Sequence, residues 1–254
     1  MMSYDNPEKS IALISTRPLK KDHENIEPKN NYKFTIIDQP LSKITPLQDY
    51  STFDSILESI NQFHHIVFIS TNAVYFFIDR LNKNKISIPN HLRFSCIGAS
   101  TRKIIENALK KNVYCPSDIY DSEHLLKHAI FNNIKNKNIL IIRGKGGRET
   151  LKEGFESKEA NVVYGECYNR EYLSINLTKI KKSVQNFDQV YLLITSLGSA
   201  RKFMSHNINQ NLDWLNSVNF IVNHQVIKNE LQPFSKVSVT NNISLISLQK
   251  IMEE

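Results

Sequence analysis

Ile66-Val67-Phe68-Ile69-Ser70-Thr71-Asn72-Ala73 decides how the chain is read. An apolar run stops at a cluster of hydroxyl and amide side chains, and a helix-like pattern carrying aromatics follows. This is the strand–turn–helix step of a parallel sheet. The same step returns at Val190-Tyr191-Leu192-Leu193-Ile194-Thr195-Ser196-Leu197-Gly198-Ser199-Ala200, with a slip of one residue near the turn. Such an echo fits a duplicated fold, and chance likeness between two such steps is the alternative.

Outward from these two stretches, short Ile- and Val-rich runs alternate with longer helical patterns along the chain. Strands are expected over 11–15, 34–37, 66–70, 93–97, 113–115, 138–142, 161–164, 189–195, 219–222 and 236–239. Helices are expected over 72–81, 100–110, 122–132, 148–156, 177–185, 200–206 and 245–252, with Ser122 capping the third. The fold class is therefore α/β, and nine or ten strands suit two parallel sheets better than one. Residues 38–46, with Pro40 and Pro46, and the polar, tyrosine-rich 165–173 read as two crossings between domains. Two crossings imply an insertion: one domain from 1–38 plus 171–254, a second over 44–166, and connectors near 38–46 and 165–172.

With 254 residues, 41% hydrophobic and 22% charged, the composition is that of a globular protein, and it excludes disorder, collagen and a disulfide scaffold. The net charge of +7 could serve nucleic acid, a membrane or an acidic small substrate. The lysines are scattered among asparagines and isoleucines, a pattern AT-rich codons also produce, so placement is a better guide than total charge. No run approaches the roughly 20 apolar residues that span a bilayer, and residues 1–10 do not read as a secretory signal. Cys96, Cys115 and Cys167 form an odd set without CxxC spacing. A cytoplasmic protein with neither membrane nor nucleic-acid partner is expected.

Familiar catalytic motifs are absent. Arg143-Gly144-Lys145-Gly146-Gly147-Arg148-Glu149 follows a strand, but lacks both the GK[ST] ending of a P-loop and the third glycine of GxGxxG. His124 and His128 are the only histidines spaced i,i+4; a solvated helix face explains them better than a metal, and no metal or cofactor is expected. What remains is a repeated theme at strand carboxyl ends, where open α/β sheets bind ligands. These edges carry Arg17; Ser70, Thr71 and Asn72; Gly98, Ser100 and Thr101; Arg143, Gly144, Lys145 and Arg148; and Ser196 and Ser199. Singly, each reads as ordinary helix capping. Together, helix N-termini and cations around one cleft would bind a polyanion such as a polycarboxylate.

The run Ile141-Ile142-Arg143-Gly144-Lys145-Gly146-Gly147-Arg148-Glu149-Thr150-Leu151, followed by Ala160-Asn161-Val162-Val163-Tyr164-Gly165-Glu166-Cys167-Tyr168-Asn169-Arg170, resembles uroporphyrinogen-III synthases. Thr16-Arg17-Pro18, residues 68–74, Ile97-Gly98-Ala99-Ser100-Thr101, residues 120–126 and Thr195-Ser196 follow in family order, so the likeness covers nearly the whole chain. The resemblance implies two flavodoxin-like α/β domains joined by a two-stranded connector. It implies a lyase (hydro-lyase) of heme and porphyrin biosynthesis, cytoplasmic, monomeric and cofactor-free. Its substrate is hydroxymethylbilane, a linear tetrapyrrole octacarboxylate handed over by hydroxymethylbilane synthase. Loss of the hydroxymethyl oxygen leaves an azafulvene, ring D attacks through its substituted carbon to give a spiro intermediate, and fragmentation and reclosure invert that ring.

By the same resemblance, Tyr168 matches a family tyrosine that lies in the cleft and donates a proton to the departing hydroxyl, as a phenol protonated at neutral pH can. Its bland reading is a connector tyrosine stacked between domains. Thr101 matches a family threonine at a helix start. The chain departs from the family at Asn223-His224-Gln225, where a Gly- or Ser/Thr-containing turn is usual; Asn223 could cap a helix and His224 could meet a carboxylate. Residues 22–32 also look short and asparagine-rich, as though the opening helix were reduced. A binding protein that keeps the anion cleft without catalysis is the alternative function.

Overall fold

The structure, a computed structural model, describes residues 9–17, 32–205 and 208–253. In chain order the strands are β1 (Lys9–Ser15), β2 (Tyr32–Asp38), β3 (Ser42–Thr45), β4 (His65–Phe68), β5 (Arg93–Cys96), β6 (Val113–Tyr114), β7 (Asn138–Gly144), β8 (Asn161–Tyr172), β9 (Gln189–Ile194), β10 (Asn219–Val222) and β11 (Val237–Val239). The helices are α1 (Ser51–Glu58), α2 (Thr71–Asn84), α3 (Ala99–Leu109), α4 (Ser122–Leu126), α5 (Thr150–Glu156), α6 (Leu177–Ser183), α7 (Leu197–Met204), α8 (Leu212–Ser217), α9 (Gln225–Glu230) and α10 (Leu245–Glu253). The chain divides into two compact units, Met1–Lys43 with Glu171–Glu254 (unit 1) and Ile44–Arg170 (unit 2).

Each unit is built on its own sheet, as expected from the period of the sequence. The orders are β11-β10-β9-β1-β2 and β3-β8-β7-β4-β5-β6. The pairings of β1 with β2 and β9, of β10 with β9 and β11, of β4 with β5 and β7, and of β5–β6 and β7–β8 are all parallel. Alternation of side chains across each strand splits each core in two. In unit 1, Ala12, Ile14, Leu192 and Ile194 pack with Phe203 of α7, while Ile11, Leu13 and Leu193 pack with Leu248 and Met252 of α10. In unit 2, Ile66 and Phe68 face α2 through Phe77, and Val67, Ile139 and Ile141 face α4 and α5 through Leu125 and Phe155. Covering both faces is what makes these strands read as unbroken apolar runs.

The two orders match once the chain is rejoined differently. Unit 2 uses β4 to β8 as β6-β5-β4-β7-β8; unit 1 gives the same order if β9, β10 and β11 are followed by β1 and β2. The echoed stretches then fall on equivalent positions, β4–α2 and β9–α7. A shared order across five strands is more than isolated look-alike steps require.

Several local expectations are corrected. The cap of α4 is Asp121 rather than Ser122, because the Asp121 carboxylate accepts from the His124 N–H at 2.7 Å. The 122–132 helix is two pieces, α4 and a 3-10 turn over Ala129–Phe131, separated where His128 is extended and its Nδ1 accepts from the Ile130 N–H at 3.3 Å. His124 thus lies inside α4 and His128 caps the start of the 3-10 turn, so the two do not share a helix face. The crossings read at 38–46 and 165–173 hold β3 and the distal half of β8, which are neighbours in the sheet. The shortened opening helix expected over 22–32 lies outside the described residues, apart from Tyr32 at the start of β2. Among the described residues, no helix is long and apolar enough to cross a membrane.

Candidate functional site

In open α/β sheets the ligand crevice lies at the carboxyl ends of the strands, where the order of connection reverses. In unit 2 that point falls between β4 and β7. Beyond β4, Ser70 is extended and its Oγ accepts from the Ala73 N–H at 3.2 Å, capping α2. The same Oγ shares a hydrogen bond of 3.0 Å with the phenol oxygen of Tyr168.

Tyr168 reaches this position through a bulge. The β7–β8 register runs Arg143↔Glu166 and then Gly144↔Tyr168, so one extra residue on β8 re-aims the chain. The Tyr168 ring lies against Gly144, where a Cβ would sit 2.8 Å from Cδ2 and Cζ. It also stacks on Phe76 with centroids 5.5 Å apart, and the Lys145 N–H donates to the Tyr168 carbonyl at 2.8 Å. Only 2% of Tyr168 is exposed, so its hydroxyl reaches outward through half-buried Ser70.

The glycine loop after β7 is braced from within. Arg143 is 3% exposed; its guanidinium donates to the carbonyls of Gly144 at 3.3 Å and Arg148 at 3.4 Å, and pairs with Glu149 at 3.3 Å. It also lies 4.2 Å above the Tyr164 ring, whose hydroxyl donates to Glu149 at 2.8 Å. Burial and that bond to Glu149 push the Tyr164 phenol up to about 12. The bond from Tyr164, with Arg143 beside it, holds the Glu149 carboxyl below its usual range. Gly147 has φ +117° and a Cβ there would meet Arg143 Nη2 at 2.6 Å. Gly146, at φ +71°, donates its N–H to Glu166 at 3.0 Å. The structure therefore turns Arg143 inward and leaves Lys145 and Arg148 exposed.

Two cavities flank this loop within unit 2. One, about 270 Å³, lies over the ends of β4, β5 and β7, between Ile69, Ile97, Ser122, Arg148 and Arg170. The other, about 560 Å³, lies on the side of α1, with Lys145, Glu166 and Asn169 on its wall. At the β5–α3 turn, Gly98 caps α3 without a side chain, Ser100 is exposed, and Thr101 is 4% exposed inside the first turn. Thr71 and Asn72 are half-buried at the start of α2.

In unit 1 the reversal lies between β1 and β9. Thr16 ties the two strands, its N–H and Oγ1 both donating to the Leu193 carbonyl at 3.1 and 2.7 Å. Ser15 Oγ donates to the Arg17 carbonyl at 2.6 Å, and burial lowers the pKa of the half-buried Arg17 guanidinium. Ser196, the counterpart of Ser70, accepts from the Ser199 N–H at 3.1 Å and donates to Ser199 Oγ at 2.7 Å. After β10, the cap of α9 is His224, whose Nδ1 accepts from the Val226 N–H at 3.2 Å; Asn223, expected to cap, instead has a buried Oδ1 without a hydrogen-bond partner.

Unit 2 thus gathers Ser70, Tyr168 and Gly144 into one contact and sets Lys145 and Arg148 on the adjoining loop, whereas Arg17, Ser196 and Ser199 stand at the reversal of unit 1. Sequence reading missed the bracing roles of Tyr164, Glu149 and Glu166, though all three lie inside the stretches it singled out. Among the described residues, no cluster of three or more His, Cys, Asp or Glu side chains could hold a metal ion.

A family model described as Uroporphyrinogen-III synthase HemD matches residues 29–239. A uroporphyrinogen-III synthase of Proteus mirabilis is 30% identical over 134 residues, 53% of this chain and 67% of that protein. One of Escherichia coli K12 is 26% identical over 160 residues, 63% of this chain and 65% of its own length. The matched stretches thus span about two thirds of these curated relatives. Among solved structures, a mutant uroporphyrinogen III synthase of Thermus thermophilus aligns with TM-score 0.62 at 10% identity, covering 96% of this chain and 100% of that one. A uroporphyrinogen-III synthetase of Helicobacter pylori 26695 aligns with TM-score 0.56 at 15% identity, covering 96% and 98%.

Proposed function

Because this chain belongs to the uroporphyrinogen-III synthase family, we propose that it closes hydroxymethylbilane to uroporphyrinogen III, inverting ring D and releasing water. The observation that carries the assignment of roles is the Ser70–Tyr168 hydrogen bond at the reversal point of unit 2. Departure of the hydroxymethyl oxygen requires a proton. Ser70 Oγ gives its proton to that oxygen as Tyr168 Oη gives its own to Ser70, and water leaves. The azafulvene so formed is attacked by the substituted carbon of ring D. After fragmentation and reclosure, ring D loses a proton, which restores Tyr168 through Ser70. Protons given and taken balance, and the substrate's pyrroles supply the nucleophile and the stabilisation of charge.

The remaining residues hold the chain in the geometry that favours the spiro route, an orientation effect worth several kcal/mol. In unit 2, Lys145 and Arg148 are assigned to substrate carboxylates, with the N–H groups at Thr71, Asn72, Gly98 and Ser100 as further donors; in unit 1, Arg17 and Ser196 are assigned the same role, and buried Ser199 holds Ser196 in place through their hydrogen bond. Gly144 and Arg143 act by position: the first leaves room for the Tyr168 ring and the second shapes the basic loop. Buried Thr101 acts by orienting the first turn of α3. The reading is of a cofactor-independent hydro-lyase, monomeric and cytoplasmic, taking its substrate from hydroxymethylbilane synthase.

The test supplies hydroxymethylbilane, generated in situ from porphobilinogen by the preceding deaminase, and separates type I and type III isomers after oxidation. Type III above the spontaneous type I background is expected. Type I alone from folded protein refutes the assignment, and tight tetrapyrrole binding in that case identifies a binding protein.

A further inference from the structure

Cys96 ends β5, and Cys115 follows β6 directly. The strands are parallel with Phe94 opposite Val113 and Ser95 opposite Tyr114, so the next step of the register sets Cys96 opposite Cys115. Neighbouring strands lie about 4.8 Å apart, inside the roughly 4.4–6.8 Å between Cα atoms that a disulfide spans. Both side chains fall on the same face, against the apolar cluster of Phe68, Phe94 and Ile105. Their thiols converge on one turn: Cys96 Sγ donates to the Gly98 carbonyl at 3.5 Å and Cys115 Sγ to the Ile97 carbonyl at 3.7 Å.

We propose that Cys96 and Cys115 form a thiol–disulfide exchange site that takes a low-molecular-weight disulfide and closes to an intramolecular bond. The two positions differ in access, which orders the steps. Cys115 is half-buried behind a two-residue edge strand, whereas Cys96 is fully buried. Cys115, as thiolate, attacks one sulfur of the small disulfide; that S–S bond breaks and one small thiol leaves with a proton. Cys96, losing its proton to solvent, then attacks the Cys115 sulfur of the mixed disulfide, and the second small thiol leaves. Two protein thiols are oxidised and one small disulfide is reduced to two thiols. The product draws both sulfurs away from the Ile97 and Gly98 carbonyls at the head of α3. The third cysteine, Cys167, is buried with its thiol donating to the Arg143 carbonyl at 3.5 Å and takes no part.

Burial pushes both thiols up, so the exchange is followed over hours. The full chain is incubated with oxidised glutathione, then denatured in an alkylating agent and digested with trypsin. The expected result is peptide 94–102 linked to peptide 112–127, a mass loss of two hydrogens, and full reversal by dithiothreitol. In Cys96→Ser the reaction is expected to stop at a glutathione adduct on Cys115. A wild-type chain that retains a stable adduct on Cys115 with Cys96 free to alkylate overturns the proposal, as does one with all three thiols still free. The readout needs no tetrapyrrole, so it succeeds or fails independently of the activity proposed above.

Discussion

Replacing Gly144 by alanine should separate what the Tyr168 ring does from what the glycine loop does. The added methyl group would sit within 2.8 Å of two ring atoms and closer still to a third, in a site where the ring is 2% exposed and backed by Phe76. The ring must move. Overpacking of this kind costs about 1–3 kcal/mol, and losing the Ser70 hydrogen bond adds about 1 kcal/mol, so a loss of about 2–4 kcal/mol is expected. Gly146→Ala is the control: a Cβ there meets nothing within 4 Å, and only its φ of +71° opposes the change, at about 1–2 kcal/mol. Thermal unfolding and the type III yield are measured on both variants. Gly144→Ala should lower the unfolding midpoint further and lose isomer control, while Gly146→Ala should keep type III as the main product. Equal type III yields from the two variants, both folded, would refute the placement of Tyr168 at the chemistry.

Tyr168→Phe should cost only about 1 kcal/mol in stability but lower kcat about 10²–10⁴-fold with KM little changed, as for loss of a proton donor; Ser70→Ala should match it in kcat and also lose the α2 cap, and steady-state isomer assays check both. Arg143→Lys, which cannot reproduce the fork that bridges two carbonyls and Glu149, should raise KM for the bilane more than it lowers kcat. Ser196→Ala removes a cap and should destabilise by about 0.5–2 kcal/mol in thermal unfolding. Burial of His65 pulls its pKa down to about 4 from an ordinary 6.5. The unfolded chain therefore takes up a proton in that window that the folded one refuses, and stability intact above pH 6.5 is lost as pH falls towards 4. The shift is worth up to about 3 kcal/mol, and urea titrations should show a shallower acid loss for His65→Leu than for the native chain.

What was legible in the sequence follows the physics of burial. Strands β4, β7 and β9, covered on both faces, could be read as unbroken apolar runs. Strand β3 and the distal half of β8 are partly exposed, carry Lys43, Glu166, Asn169 and Arg170, and look like loop. At the candidate site, the residue types at the strand ends were visible, but their orientation was not. Nothing local to Tyr168 announces a partner 98 positions away at Ser70, nor a bulge that sets it against Gly144. Arg143 read as a ligand-binding cation because its loop is basic; its inward turn depends on the Tyr164 ring, which only the β7–β8 register delivers.

The two ways of threading one strand order have a consequence for synthesis. All five shared strands of unit 2 lie between residues 65 and 172, so once that stretch has emerged its sheet can close. Unit 1 cannot, because Ile11 pairs with Gln189. At about 5–20 residues per second, a ribosome takes roughly ten to forty seconds to cross that separation. Throughout that interval β1, apolar on both faces, has only β2 beside it. Slowing translation between residues 44 and 188 should therefore lengthen the exposure of the N-terminal strands and raise aggregation of nascent chains, while leaving the folding of unit 2 untouched.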